Sequence, residues 1–356
     1  MRLYKYSLLP FIMFAFATVG YAQKHPHLRQ FYFRLNSTSA VPAPTQCKTL
    51  KVIDTRTDKS SIGYIRPGAF DTYATLITDT TLTEFLQKYY QTLARGKGEY
   101  ELLMVLYDIL VEDTPIDQEI GTFYLNTDFF IGENDNYKFI CKVDSLYEAA
   151  DKDPTRALQE MARNKIEELL AHNGSAKYVP TDKSYTEAEA INKRNIDKNV
   201  FPIYQTKEFK KGVYYTVDQF LQNAPSDTGF IVNDILLSID VPRKIFFYYT
   251  NTKGKKGQSI EDGSFFAIYS GKQWYVSDPA MRMKFENGEF YATRYLNGIN
   301  NFSGATAGAM LGGIGGAIVG GIATSKNGKS SSVLYKTRFD PTVKQFLPIK
   351  RVIHPL

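Results

Sequence analysis

Residues 100–112 read YELLMVLYDILVE, an apolar run interrupted only by Glu101, Asp108 and Glu112. Its length and its flanks are those of a central strand, buried on both faces. Working outward toward the N-terminus, residues 50–54 form a first strand. A polar turn, Arg56-Thr57-Asp58-Lys59-Ser60-Ser61-Ile62-Gly63, follows it. Thr81 and Glu84 have capping-box spacing. Leu82, Phe85, Leu86, Tyr89 and Leu93 then recur on one helical face. Gly96 and Gly98 end that helix. Toward the C-terminus, residues 121–130 alternate moderately, and residues 137–143 make a further strand after the turn Gly132-Glu133-Asn134-Asp135-Asn136. Asp153 before Pro154 is an N-cap with proline at the first helical position. Leu158, Met161, Ala162, Ile166, Leu169 and Leu170 form the apolar face of a second helix, stopped at Asn173-Gly174. Residues 46–174 are thus expected to be a β-α-β-β-β-α domain.

A polar, charged stretch at 175–200 reads as a linker. Within it Ser184 and Glu187 have capping-box spacing, and a short surface helix is expected near 185–195. From residue 201 the pattern changes to aromatic strands with tight turns. Thr216 and Gln219 frame a short helix over 217–222, and residues 244–250 carry Ile245, Phe246, Phe247, Tyr248 and Tyr249. The turn Lys253-Gly254-Lys255-Lys256-Gly257 is read as a solvated hairpin tip, with phosphate or an acidic surface as the alternative partner of its lysines. Asn287-Gly288 is a type I′ hairpin signal, and residues 333–339 and 346–353 close the chain as strands. The expected class is α+β: the β-α-β-β-β-α domain, then an antiparallel β-rich domain at 201–356 holding a glycine-zipper helical segment at 303–324.

The stretch LKVIDTRTDKSSIGY at 50–64, leading to a helix and a long returning strand, resembles bacterial envelope lipoproteins and transport-auxiliary proteins. The resemblance covers roughly residues 47–172. It implies a compact β-α-β unit in the periplasm that docks to partners and does no catalysis. The second half resembles extracytoplasmic proteins of unknown function from Gram-negative bacteria, which implies no activity.

Residues 1–22 have the layout of a secretory signal peptide. Arg2 and Lys5 precede an apolar stretch at 8–19, and Gly20-Tyr21-Ala22 places small residues three and one before a cut that leaves Gln23 first. No Cys stands at the cut, so a lipidated start is not supported. Losing Arg2, Lys5 and no acid takes the formal charge from +6 to +4, too mild and scattered for nucleic acid. Residues 23–45 form an extended lead-in. His25 and His27 there have no further ligands near them.

Four His and two Cys exclude a zinc finger or an iron–sulfur cluster. In an oxidising compartment Cys47 and Cys141 are open to a disulfide, provided their strands come within about 7 Å at the Cα atoms. The alternative is two buried free thiols. Asp54, Arg56, Asp58, Asp108, Glu112 and Asp113 could be grouped as a carboxylate site, but strand-end charges facing water are the plainer expectation. Ser60-Ser61 and Ser37-Thr38-Ser39 lack the elbow of a nucleophile. The sequence nominates no catalytic residue, cofactor or metal ligand.

Gly304, Gly308, Gly312, Gly316 and Gly320 recur every four residues, and no charge occurs from Tyr295 through Ser325. That spacing keeps the glycines on one helical face, where another backbone can approach closely. Three settings are open: a helical hairpin packed on its own domain or in the lipid interface, a single membrane span, or an oligomer core. The chain is therefore expected to be a non-enzymatic exported protein of the periplasm or cell envelope. Its partner is a protein or a second copy reached through the zipper, with a membrane surface as a further contact and nucleic acid excluded. The rival is a secreted hydrolase whose His, Ser and acidic residues converge in a pocket.

Overall fold

The computed structural model describes residues 29–35, 43–67, 73–94, 96, 98–114, 120–150, 154–176, 183–235, 244–277, 280–297, 318–323 and 332–351. The first half runs β1 (Arg29–Tyr32), β2 (Cys47–Asp54), β3 (Gly63–Ile65), β4 (Ala74–Ile77), α1 (Leu82–Ala94), β5 (Tyr100–Thr114), β6 (Ile120–Glu133), β7 (Asn136–Ala150) and α2 (Pro154–Gly174). The second half runs α3 (Glu187–Lys198), α4 (Pro202–Gln205), β8 (Gly212–Tyr214), α5 (Val217–Leu221), β9 (Phe230–Ile235), β10 (Lys244–Thr250) and β11 (Lys256–Ile260). It continues with β12 (Ala267–Tyr269), β13 (Trp274–Val276), β14 (Met281–Glu286), β15 (Glu289–Asn297), β16 (Ile318–Ala323), β17 (Ser332–Asp340) and β18 (Gln345–Arg351). The class is α+β.

The apolar run is the central strand. β5 takes β2 in parallel along its first half and β3 in parallel near Val111, and it pairs antiparallel with β6 along its whole length. The polar turn after β2 lets two short strands share one edge of a fifteen-residue strand. Ahead of the domain, β1 adds in parallel to β4, inside the segment read as an extended lead-in.

Helices α1 and α2 cover one face of this sheet. Thr81 Oγ1 accepts from the Glu84 amide at 3.2 Å, so α1 begins where its capping spacing places it. Leu82, Leu86, Tyr89, Tyr90 and Leu93 of α1 join Leu158, Ala162, Ile166 and Leu170 of α2 over Leu102, Met104, Phe123 and Phe129. Gly121 is a packing requirement. A Cβ there would stand 2.7 Å from the Leu158 Cβ, so α2 lies on β6 only because this position has no side chain.

The opposite face receives the segment expected as a linker. Its helix begins two residues later than the sequence spacing suggests. The cap is Thr186 with Glu189, not Ser184 with Glu187. Tyr185 is held in a β-bridge, its amide donating to Tyr137 O at 2.8 Å, so the helix starts only after it. The helix lies at the surface, with one face docked: Ala190, together with Tyr185 ahead of the helix, packs on Leu103, Val105 and Phe130.

The second half forms a seven-stranded sheet in the order β18-β17-β15-β14-β13-β12-β8 and a three-stranded sheet β11-β10-β9, both antiparallel. Val213, Ile268 and Tyr275 of the larger sheet pack against Phe230, Phe247 and Ile260 of the smaller. Asn287 and Gly288 have φ of 53° and 75°, as a type I′ turn requires.

The glycine-zipper segment departs from expectation where it is described. Ile318–Ala323 is a strand, β16, paired in parallel with β7 from Ile318↔Val143 to Ala323↔Tyr147. Gly320 therefore lies in a strand and not on a helix-packing ridge. Glycine disfavours a helix by about 1 kcal/mol per residue relative to alanine. The neighbouring Ile318, Val319 and Ile322 are β-branched, and the β7 edge offers unpaired backbone groups. Gly304, Gly308, Gly312 and Gly316 lie outside the described residues. Among the described residues no helix is long and apolar enough to cross a membrane.

Candidate binding cleft between the central sheet and helix α3

Strand alternation builds the floor of the cleft. On β6 the side chains of Tyr124, Asn126 and Asp128 share the face away from α1 and α2, and on β7 Lys142 and Asp144 do the same. The register sets Asn126 beside Asp144 and Asp128 beside Lys142, and it puts Asp108 of β5 in the row of Asn126 and Asp144. Tyr107 of β5 and Ile140 of β7 are extra residues at bulges, a device that re-aims neighbouring side chains.

Two arginines arrive from outside the sheet. Arg194 of α3 donates from Nη2 to Asp128 Oδ1 at 2.7 Å and from Nε to the same oxygen at 3.1 Å. It also donates to Thr127 O at 3.3 Å and to Asn126 Oδ1, with its guanidinium 4.1 Å from the Tyr107 ring centre. Arg338 of β17 donates to Asp144 and, at 3.3 Å, to the Tyr124 hydroxyl, which donates to Asp144 Oδ1 at 2.8 Å. Lys142 pairs with Asp340, whose other oxygen accepts from the Thr342 amide at 2.9 Å. Lys198 donates to Glu289 Oε1 at 2.7 Å and ties α3 to the β14–β15 hairpin.

The walls enclose a cavity of about 290 Å³, near the lower end of small-molecule sites. Phe139, Ile191, Phe339 and Pro341 supply its apolar lining. Asp128 is 0 % exposed and Asp144 1 %. Burial by itself would raise the Asp144 carboxyl; Arg338, Arg194 and Lys142 outweigh it and hold the group below the usual range. Burial, and then Arg194, push Lys142 down to about 8. Burial raises the Tyr124 and Tyr107 hydroxyls, so both stay neutral donors.

The acids singled out in the sequence do not assemble as one site. Arg56 holds Asp54 at 2.8 Å, Arg66 and Thr155 hold Asp113 at 3.4 and 2.7 Å, and Lys350 holds Glu112 at 2.7 Å. Nor do they all face water, since Asp113 is 1 % exposed. Asp58 caps its own turn through the Ser60 amide and hydroxyl. Among the described residues no group of three or more His, Cys, Asp or Glu converges on a metal position. A signal for part of the cleft is present in the sequence: N-T-D at 126–128 and C-K-V-D at 141–144 place polar or charged residues at alternate positions within central strands, which marks a polar face. Arg194 and Arg338 carried no such mark.

Cys47 and Cys141 are both free and buried. The disulfide is excluded by topology: β5 and β6 lie between β2 and β7, and three strand spacings amount to roughly 14 Å. The Cys141 thiol donates to Asn173 Oδ1 at 3.1 Å, and the Tyr90 hydroxyl donates to Cys47 O at 3.1 Å. Burial, helped by Glu101 at Cys47 and by Asp128 at Cys141, pushes both thiols up to about 12. The native protein is expected to resist a bulky thiol reagent and, without reductant, to titrate two thiols once unfolded. A bridged species on a non-reducing gel would contradict this topology.

Comparison with family models and with curated proteins returned no match. Among solved structures, a protein of Xanthomonas campestris described by the family model DUF330 aligns with 41 % of this chain and 94 % of its own. The identity is 11 % and the TM-score 0.29, a likeness too slight to bear on fold or function.

Proposed function

We propose that this is an exported, non-enzymatic protein of the cell envelope that acts by binding, and that an anionic membrane surface is one of its contacts. The observation that carries the reading is the β10–β11 hairpin. Residues 244–257 hold Lys244, Lys253, Lys255 and Lys256, four aromatics and no acid. Phe247 points into the core, whereas Phe246 is 40 % exposed on the outer face. Lys256 lies 4.7 Å over the Tyr248 ring.

The tip is organised in advance. Asn251 Oδ1 accepts from the amides of Lys253 and Lys255 at 3.0 and 2.9 Å, and Gly254 takes φ +67°. Exposed lysines beside aromatic rings suit the boundary between anionic head groups and acyl chains. Export is supported by the layout of residues 1–22 and docking by the resemblance of residues 47–172.

The test is co-sedimentation with vesicles. The mature protein is expected to pellet with vesicles rich in anionic phosphatidylglycerol and to stay in solution with pure phosphatidylcholine. Each lysine near such a surface contributes about 1 kcal/mol. Changing Lys253, Lys255 and Lys256 to Gln should therefore weaken binding roughly a hundredfold. Equal partition onto both vesicle types, or none onto either, would sink the membrane part of the proposal.

A further inference from the structure

We propose that the cleft between α3 and β17 is a binding site for a small organic anion, a carboxylate or phosphate group carried on a short apolar body. The argument starts at Asn126. Its side chain is 0 % exposed and lines the cavity. A guanidinium can only donate, so the contact from Arg194 Nη1 identifies the amide atom it meets as the oxygen. The other end of the amide is then an N–H donor, and Asn126 Nδ2 has no hydrogen-bond partner. Buried donors in folded proteins are almost always satisfied. What this one lacks is an acceptor.

The surrounding charge selects the sign of that acceptor. Lys142 also lines the cavity and spends one N–H on Asp340. Burial and the neighbouring Arg194 depress it to about 8 against the pull of Asp144 and Asp128, while Arg338 adds to the depression. Five lysine and arginine side chains line the cavity against four carboxylates, and an oxyanion there offers an acceptor to both Lys142 and Asn126. The carboxylates that line it are already paired, Asp128 with Arg194, Asp197 with Lys193, Glu289 with Lys198 and Asp340 with Lys142, so a cation gains little there. The apolar walls account for the rest of the ligand: Phe139, Ile191, Phe339 and Pro341 line the same cavity. A volume of about 290 Å³ accommodates one ring or a short chain and excludes a macromolecule. This site is separate from the lysine hairpin, so it stands or falls independently of membrane binding.

Titration calorimetry of the mature protein tests it with four probes: benzoate, inorganic phosphate, benzyl alcohol and benzylammonium. Saturable binding of benzoate is expected, with benzyl alcohol and benzylammonium at least tenfold weaker. Phosphate binding as tight as benzoate would identify the natural head group as phosphate, and tighter benzoate a carboxylate. Asn126→Leu removes the donor and should weaken anion binding roughly tenfold to a hundredfold, the usual worth of a hydrogen bond to a charged group. Because Asn126→Leu also unpairs Arg194, Ile191→Trp is the second variant. It fills the cavity from α3 without touching an ion pair, and it should abolish binding in a protein whose circular dichroism is unchanged. No saturable binding of either anion, equal binding of benzyl alcohol, or undiminished binding by folded Ile191→Trp would overturn the proposal and leave Asn126 solvated by water.

Discussion

Arg194→Ala is expected to lower unfolding stability by about 3–5 kcal/mol, the cost of removing one partner of a buried ion pair. Asp128 is 0 % exposed, and its main partner is the Arg194 fork. Without it the carboxylate keeps one long bond from the Tyr107 hydroxyl at 3.3 Å. Asn126 Oδ1 and Thr127 O lose a donor as well, and the Tyr107 ring loses its cation. Arg194→Lys keeps the charge but not the planar fork, so it should recover only part of the loss. In the pair Arg194→Ala with Asp128→Asn no charge is stranded, and the double variant should be more stable than Arg194→Ala alone. Urea unfolding of the four proteins measures this. A loss under about 1 kcal/mol for Arg194→Ala is what an exposed arginine would give, and it would mean that α3 is not docked as described.

Phe220→Ala is expected to cost about 3–5 kcal/mol, the range for deleting a buried aromatic. Phe220 is 0 % exposed and stands on α5, a five-residue helix held by the reciprocal Thr216–Gln219 cap. Its ring centre lies 4.9 Å from Phe290, 5.1 Å from Phe266 and 5.4 Å from both Trp274 and Phe339. Edge-on pairs of this kind contribute about 0.5–1.5 kcal/mol beyond the area they bury. Trp274 is the only tryptophan of the chain, so its fluorescence reports the change directly. Guanidinium unfolding followed by that emission should show a lowered midpoint and a red-shifted native spectrum. An unshifted midpoint would mean that the cluster repacks around the deletion.

Both predictions rest on residues whose local setting was readable but whose partners were not. The Thr216–Gln219 spacing announced α5, yet nothing in residues 217–222 shows that Phe220 meets rings from residues 266, 274, 290 and 339. The strand readings of residues 121–130 and 137–143 do not single out the polar face that Asn126, Asp128, Lys142 and Asp144 share. The cations that neutralise it come from residues 194 and 338, and the bond from Arg338 to Asp144 spans 194 positions. The choice between a disulfide and two buried free thiols stayed open in the sequence for the same reason. Cys47 and Cys141 both sit on strands, as read, but sequence does not count the strands between them.

What the sequence determined by itself is everything set by a few consecutive residues: the apolar run that became β5, the cap at Thr81, the stop at Asn173-Gly174, the Asn287-Gly288 turn and the α+β class. These depend on helical or strand periodicity and on backbone conformations a single residue permits, all of which act within one turn or one hairpin. The tertiary structure alone decided which face of the central sheet α3 and β17 would cover, and that residues 318–323 would pair with β7. A strand edge and a polar sheet face are completed by whichever segment arrives with matching donors and charge. That match is a property of distant parts of the chain taken together, so no local pattern carries it.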